Sequence, residues 1–247
     1  MRILHLTDTH VGSEKYFQEN RLLDLIQTIN DGDFDAVIHT GDVTDEGQRA
    51  EYEQAKEFLD AIKKPFVVLP GNHDARSGGE SLFEEYIGPT HGSLRIGNAV
   101  IVFASSAIAD SNGGRIGRVR FEFLRRELYR NSDLGIKIFC SHHHILPVPS
   151  SGRERNVLEN AGDVLRLIVR SQVNLVLLGH RHYPNIHRFE DTLFVNGGTA
   201  SSSKTRYGDV QSHDVISLDS ESADIQVIRS NGDVKREKHS FRSRRIF

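Results

Sequence analysis

The sequence predicts an α/β protein, a layered sheet with helices on its faces, and three observations carry that reading. Apolar runs of strand length alternate with longer amphipathic stretches as far as Leu178. Beyond Gly179 the pattern changes to short strands separated by turn residues, which points to hairpins in or beside a second sheet. Small polar clusters rich in His, Asp and Asn follow the apolar runs, at the strand ends where open α/β sheets bind ligands.

The elements follow in order. Strands are expected at Arg2 to Leu6, Asp35 to His39, Phe66 to Leu69, Val100 to Ala104, Ile136 to Ser141 and Val173 to Leu178. Between them Glu19 to Asn30, Gly47 to Asp60, Gly79 to Ile87, Val119 to Arg130 and Val157 to Arg170 place apolar residues at three- and four-residue spacing, the mark of a helix with one buried face. Ile186 to Phe189, Thr192 to Val195, Asp214 to Leu218 and Ala223 to Arg229 complete the set as short strands. With no repeat and no linker, the 247 residues are expected to form one domain, ending in a basic tail over 234–247. That tail carries Lys235, Arg236, Lys238, Arg242, Arg244 and Arg245; it is read as a solvated, flexible end, with binding of an anionic partner as the other reading.

Composition bounds the function. A net charge of −3 argues against a broad nucleic-acid footprint, and no apolar run is long enough to span a bilayer. The first strand begins at the initiator Met, which leaves no room for a secretory leader, so a cytoplasmic location is expected. The single cysteine, Cys140, lies in an apolar run and reads as a small buried side chain.

The chain has 13 histidines, many of them in the strand-end clusters. Asp8-Thr9-His10 follows the first run, Gly41-Asp42 the second, Gly71-Asn72-His73-Asp74 the third, His142-His143-His144 a later one and Gly179-His180-Arg181-His182 the last. In an extended segment Asp8 and His10 would share one side, as would His180 and His182, so each pair can face one site. Glycine before Asp42, Asn72 and His180 permits sharp turns and close approach. Imidazoles, carboxylates and an amide without thiolates suit Mn, Fe or Zn, and seven candidates are too many for one ion.

The ordered set D-x-H, GD, GNHD, H and GHxH, running from Asp8 to His182, resembles the calcineurin-like metallophosphoesterase superfamily. The resemblance implies a four-layer α/β/β/α sandwich of two mixed β-sheets and a site holding two divalent metal ions. Carried over by position, Asp8, His10 and His182 would bind one ion, Asn72, His142 and His180 the other, and Asp42 both. His73 would be a non-ligand acid near the leaving group, oriented by Asp74. The chain departs from the family where relatives often carry HHPP and it reads His142-His143-His144-Ile145-Leu146-Pro147. The ligand register among the three histidines stays open, and His144 shares the side of His142 if the chain is extended. His5, His39, His91, His187, His213 and His239 have no motif. Asp45 and Glu46 read most simply as a helix N-cap.

The reaction implied is hydrolysis of a phosphate diester by water activated between two ions. Ser105, the stretch Gly113 to Gly117 and Phe121 to Leu124 are similar to a segment of class III cyclic nucleotide phosphodiesterases, so a cyclic nucleotide is one expected substrate. Asn72, His73, Arg181 and His144 would contact it, and Arg76, Arg115, Arg153 and Arg155 are further loop cations. A phosphomonoesterase, a nuclease and a non-catalytic metal-binding scaffold are the competing readings. A phosphate-ester small molecule is the expected partner, and a homodimer stays open.

Overall fold

Both faces of the central strands are apolar, so covering one face alone would leave hydrophobic surface in water. A computed structural model describes residues 1–149 and 156–241, in which the chain covers both faces by stacking two sheets between outer helices. The strands are β1 (Arg2–Leu6), β2 (Ala36–His39), β3 (Phe66–Val68), β4 (His91–Ile96), β5 (Ala99–Ala104), β6 (Ile136–Cys140), β7 (Leu175–Leu178), β8 (Asn185–Phe189), β9 (Thr192–Asn196), β10 (Ser212–Leu218), β11 (Ser222–Arg229) and β12 (Val234–Ser240). The helices are α1 (Glu19–Asp31), α2 (Arg49–Asp60), α3 (Gly79–Tyr86), α4 (Arg118–Arg130) and α5 (Ala161–Arg170).

One sheet has the order β12-β11-β10-β1-β2-β3 and the other β4-β5-β6-β7-β9-β8. Parallel pairing joins β1 to β2 to β3, and β5 to β6 to β7 to β9; the remaining pairs are antiparallel, which makes both sheets mixed. Alternation along each strand sorts the core. Ile3, Ile38, Val67, Ile101, Ile138, Leu177, Val195, Ile216 and Ile225 point between the sheets and form one buried cluster. Their neighbours Leu4, Leu6, Val37 and Val215 point outward onto Leu25 and Ile29 of α1. On the far side Val100, Val102, Phe139, Val176 and Phe194 meet Leu124 and Leu128 of α4 and Val164 and Ile168 of α5. The result is the four-layer α/β/β/α sandwich. Cys140 lies fully buried in the inter-sheet cluster, where burial pushes its thiol up, as befits a packing residue.

Several boundaries differ from expectation. The helix expected from Val157 starts at Ala161, because Val157 forms a bridge to His144 and the Asn160 side chain is committed to the backbone of Ile116. β4 was not foreseen, since His91-Gly92-Ser93-Leu94-Arg95-Ile96 has no apolar run; it is an edge strand needing only one buried face. The expected flexible tail begins instead with β12, whose Lys235, Arg236 and Lys238 lie on an edge strand paired with β11. Arg236 forks onto Asp224 across that pair, so its charge is used within the fold. Arg242, Arg244 and Arg245 lie outside the described residues.

Candidate metal centre

The register Leu6↔His39 and His39↔Val68 ends β1, β2 and β3 level with one another. In the other sheet, Cys140↔Leu177 does the same for β6 and β7. The loops leaving these five strands therefore meet, and they carry all five polar clusters. The ligating atoms of Asp8, His10, Asp42 and His182 lie within 4.8 Å of one another, as do those of Asp42, His142 and His180. Asp42 belongs to both groups. The Asn72 amide oxygen completes the second, 3.2 Å from His142 Nε2 and 2.8 Å from His180 Nδ1.

The way the side chains are aimed differs from the extended alternation expected. Asp8, His10, Asp42, His180 and His182 all have positive φ, between 50° and 78°. Left-handed backbone at five non-glycine residues costs energy and persists only where surrounding structure imposes it, a pattern concentrated at functional sites. Glycine permits the loops to cross. Gly41 has φ near +100°, and a Cβ there would lie 2.6 Å from the Gly71 nitrogen. At Gly71 a Cβ would overlap the Asp42 carboxylate.

Hydrogen bonds outside the centre set the imidazole tautomers. His10 Nδ1 donates to Asp45 Oδ1 at 3.0 Å, His142 Nδ1 to the Thr40 carbonyl at 2.8 Å, and His182 Nδ1 to the Lys204 carbonyl. With Nδ1 engaged outside, each ring turns Nε2 inward, the nitrogen that its neutral form offers to a metal. Asn72 Nδ2 donates to Asn112 Oδ1 at 3.3 Å, which turns its oxygen toward the histidines.

These residues fit bound cations. The Nε2 atoms of His10 and His182 face each other at 3.0 Å, and the buried Asp8 Oδ1 lies 3.2 Å from the same His182 Nε2. Both arrangements are unfavourable unless something positive lies between the groups. Charge balance agrees. Burial raises the Asp8 carboxyl, but His182 and His142 outweigh it and hold it at about 2. Burial likewise raises Asp42, yet His142 and His73 bring it well below the usual range. His142 is lowered by burial and raised more strongly by Asp42, to about 9. The centre thus demands positive charge, which divalent ions supply.

Around this centre the GNHD segment departs from expectation in one respect. Asp74 does not touch the His73 ring. Its carboxylate accepts from the backbone of Val43 (3.0 Å), Thr44 (2.8 Å) and Gly71 (2.8 Å) and from the Thr44 hydroxyl, so it ties the loop after β2 to the loop after β3. Burial and the Asp42 charge raise it to about 6 against those hydrogen bonds. The group that meets His73 is Asp45, whose carbonyl accepts from Nδ1 at 2.5 Å and whose carboxylate lies 3.5 Å away. The N-cap expected of Asp45 is supplied instead by Gln48, in a capping box with Glu51.

The three consecutive histidines separate. His142 joins the centre; His143 bonds Ser106 Oγ at 2.8 Å; His144 Nε2 donates to the Gly179 carbonyl at 3.0 Å. His144 therefore supports the loop carrying His180 and is not among the described residues that line the cleft. His39, which has no motif, receives the Gly41 N–H and bonds Thr9, holding the loops of Asp42 and His10. Above the centre opens a cleft of about 340 Å³ lined by Asn72, His73, Arg76, Arg181, Lys204 and Arg206 among others. Lys204 and Arg206 were missed, lying in no motif. Arg115 pairs with Glu159 outside the cleft, and Arg153 and Arg155 lie outside the described residues.

Residues 1–184 match the family described as calcineurin-like phosphoesterase, a span holding every motif from Asp8 to His182. The chain belongs to that family. It is therefore a metal-dependent hydrolase of phosphoric esters. Among its relatives is the 3′,5′-cyclic adenosine monophosphate phosphodiesterase CpdA of Escherichia coli (strain K12), 26% identical over 193 residues that cover 74% of this chain and 70% of that protein. The glycerophosphodiester phosphodiesterase GpdQ of Enterobacter lignolyticus is 26% identical over 207 residues, 74% of this chain and 71% of the relative. A dimetal phosphatase from Danio rerio superposes with a TM-score of 0.76 over 98% of this chain and 99% of its own, at 12% identity, a likeness of fold. No helix among the described residues is long and apolar enough to cross a membrane.

Proposed function

We propose that the protein is a phosphodiesterase acting on small phosphate diesters, cyclic nucleotides among the candidates, with Asp8, His10 and His182 holding one divalent ion, Asn72, His142 and His180 a second, and Asp42 shared. The observation that carries the reading is the pair of donor groups meeting at the Asp42 carboxylate beneath an open cleft. Two ions so held supply Lewis acidity, offsetting charge on phosphoryl oxygens and lowering the pKa of water. Mn, Fe and Zn all suit the donor set.

The chain's own groups do the rest. The His73 N–H donates to Asp42 Oδ1 at 2.8 Å and fixes the backbone of the GNHD turn over the shared carboxylate. The His73 ring turns Nε2 to the cleft, where the Arg76 guanidinium approaches to 3.1 Å. In this arrangement Nε2 accepts from Arg76, so the guanidinium would meet charge developing on a leaving oxygen, and His73 would donate to that oxygen only with Nε2 protonated and turned away from Arg76. Asn72 faces the same cleft, and Arg181 stands between two site histidines where it can orient the ester.

Support for a diester comes from the relatives, two phosphodiesterases with different substrates, so the diester bond rather than one particular leaving group is common to them. The test is turnover of bis(p-nitrophenyl) phosphate against p-nitrophenyl phosphate after chelation and after Mn is restored. Metal-restored diester hydrolysis exceeding that of the monoester is expected. A monoester preference would move the assignment to a phosphatase.

A further inference from the structure

Residues 203–209 run from the metal centre to the mouth of the cleft, pinned at both ends. The Ser203 N–H donates to the Tyr16 carbonyl at 2.8 Å, and the Lys204 carbonyl accepts from His182 Nδ1. Lys204 is held over the Tyr16 ring, 5.7 Å from its centroid. At the other end both oxygens of Asp209 engage Arg229 of β11, at 2.7 and 3.2 Å. Between these ties the chain reverses in a tight turn, closed by the Asp209 N–H on the Arg206 carbonyl at 2.9 Å. Its two central residues, Tyr207 and Gly208, both have positive φ, 53° and 73°. Gly, Asn and Asp suit the first of these positions, and a bulky ring there is an outlier. The Tyr207 ring gains little burial in return: it is 68% exposed and meets Tyr183 edge to face, with centroids 5.7 Å apart and planes at 74°. An exposed ring on strained backbone does nothing for folding, and such strain collects where ligands are held. The surroundings supply the place for one. Arg206 and Arg181 line the cleft; Tyr207 follows the first, lies near enough to the second to act on its charge, and Tyr183 follows the site histidine His182. The two rings therefore stand at the cleft mouth, on the side of Arg181.

Taking the phosphodiesterase reading as its basis, we propose that Tyr207, backed by Tyr183, is a stacking platform at the cleft mouth for a planar heteroaromatic ring, and that the preferred diester is one formed with a nucleoside. Every nucleobase has a π-face, so one ring accepts purines and pyrimidines alike, and the edge-on Tyr183 holds the platform in orientation. A glycerol diester can reach the same metal centre but leaves the ring bare.

Adenosine 5′-monophosphate and ribose 5-phosphate share phosphate and ribose and differ in the base. Titrated calorimetrically into the Mn-loaded protein, the nucleotide should bind about tenfold tighter, the scale of stacking one base on one aromatic ring. In Tyr207→Asn the two affinities should converge to within about twofold. Asn-Gly is the pair this turn favours, so that variant keeps the loop and loses the ring. Tyr207→Phe should retain the preference. Equal affinities in the unaltered protein, a preference surviving in Tyr207→Asn, its loss in Tyr207→Phe, or no binding of the nucleotide would overturn the platform. Should Tyr207→Asn fail to fold, Tyr207→Gly gives the same comparison, since glycine suits a positive φ. The comparison needs no turnover, so hydrolysis of bis(p-nitrophenyl) phosphate on the same samples separates the two readings. Turnover with equal affinities would sink the platform alone, and a base preference without turnover would sink the diester reading alone.

Discussion

Asn72 and His73 are neighbours with opposite tasks. The Asn72 oxygen lies within 3.2 Å of two imidazole nitrogens, whereas the His73 ring bonds the Asp45 carbonyl and Arg76. Asn72→Ala should therefore lower bound metal from two ions per chain toward one, as read by elemental analysis. His73→Ala should keep both ions while diester kcat falls about 100- to 1,000-fold, the usual cost of removing one electrostatic or acid group. Equal metal loss in the two variants would contradict the division of roles. The motifs made both residues legible. They did not reveal that Asp45, rather than Asp74, reaches His73, because which carboxylate touches a ring depends on how two loops cross.

At the scale of elements, the centre depends on loops after β1, β2, β3, β6 and β7 being held in register, and Asp74 is a chief tie between two of them. Removing its carboxylate strands the N–H groups of Val43, Thr44 and Gly71, each costing about 1–3 kcal/mol when buried without an acceptor. Asp74→Ala should thus lower the melting temperature of the metal-free protein by several degrees, a loss a purely catalytic residue would not cause. An unchanged melt with a slowed reaction would restore the catalytic role first expected. Strands with apolar runs, such as β5 and β6, were legible because both faces are buried. β4 and β12 were not, since edge strands carry polar and charged side chains that read equally well as loop or tail. The left-handed backbone at Asp8, His10 and His182 was equally hidden, because nothing in D-x-H or GHxH distinguishes an extended pair from a strained one.

For the whole molecule, the sandwich presents five strand ends from two sheets to one place, and no single element holds either donor group. His10 and His182 are far apart in the chain, yet their Nε2 atoms lie 3.0 Å apart because β1 and β7 belong to facing sheets. That convergence was legible from the order of the motifs. The cations of the cleft were only partly so: Arg181 lies inside a motif, whereas Lys204 and Arg206 reach the cleft through a loop that no local pattern marks. The account's central claim is that two ions act together at a shared Asp42. Its most direct test is titration of the chelated protein with Mn while bound metal and bis(p-nitrophenyl) phosphate turnover are measured on the same samples. Turnover rising only as the second equivalent binds, with two ions per chain at the plateau, is the predicted result. Full turnover at one ion per chain would contradict it.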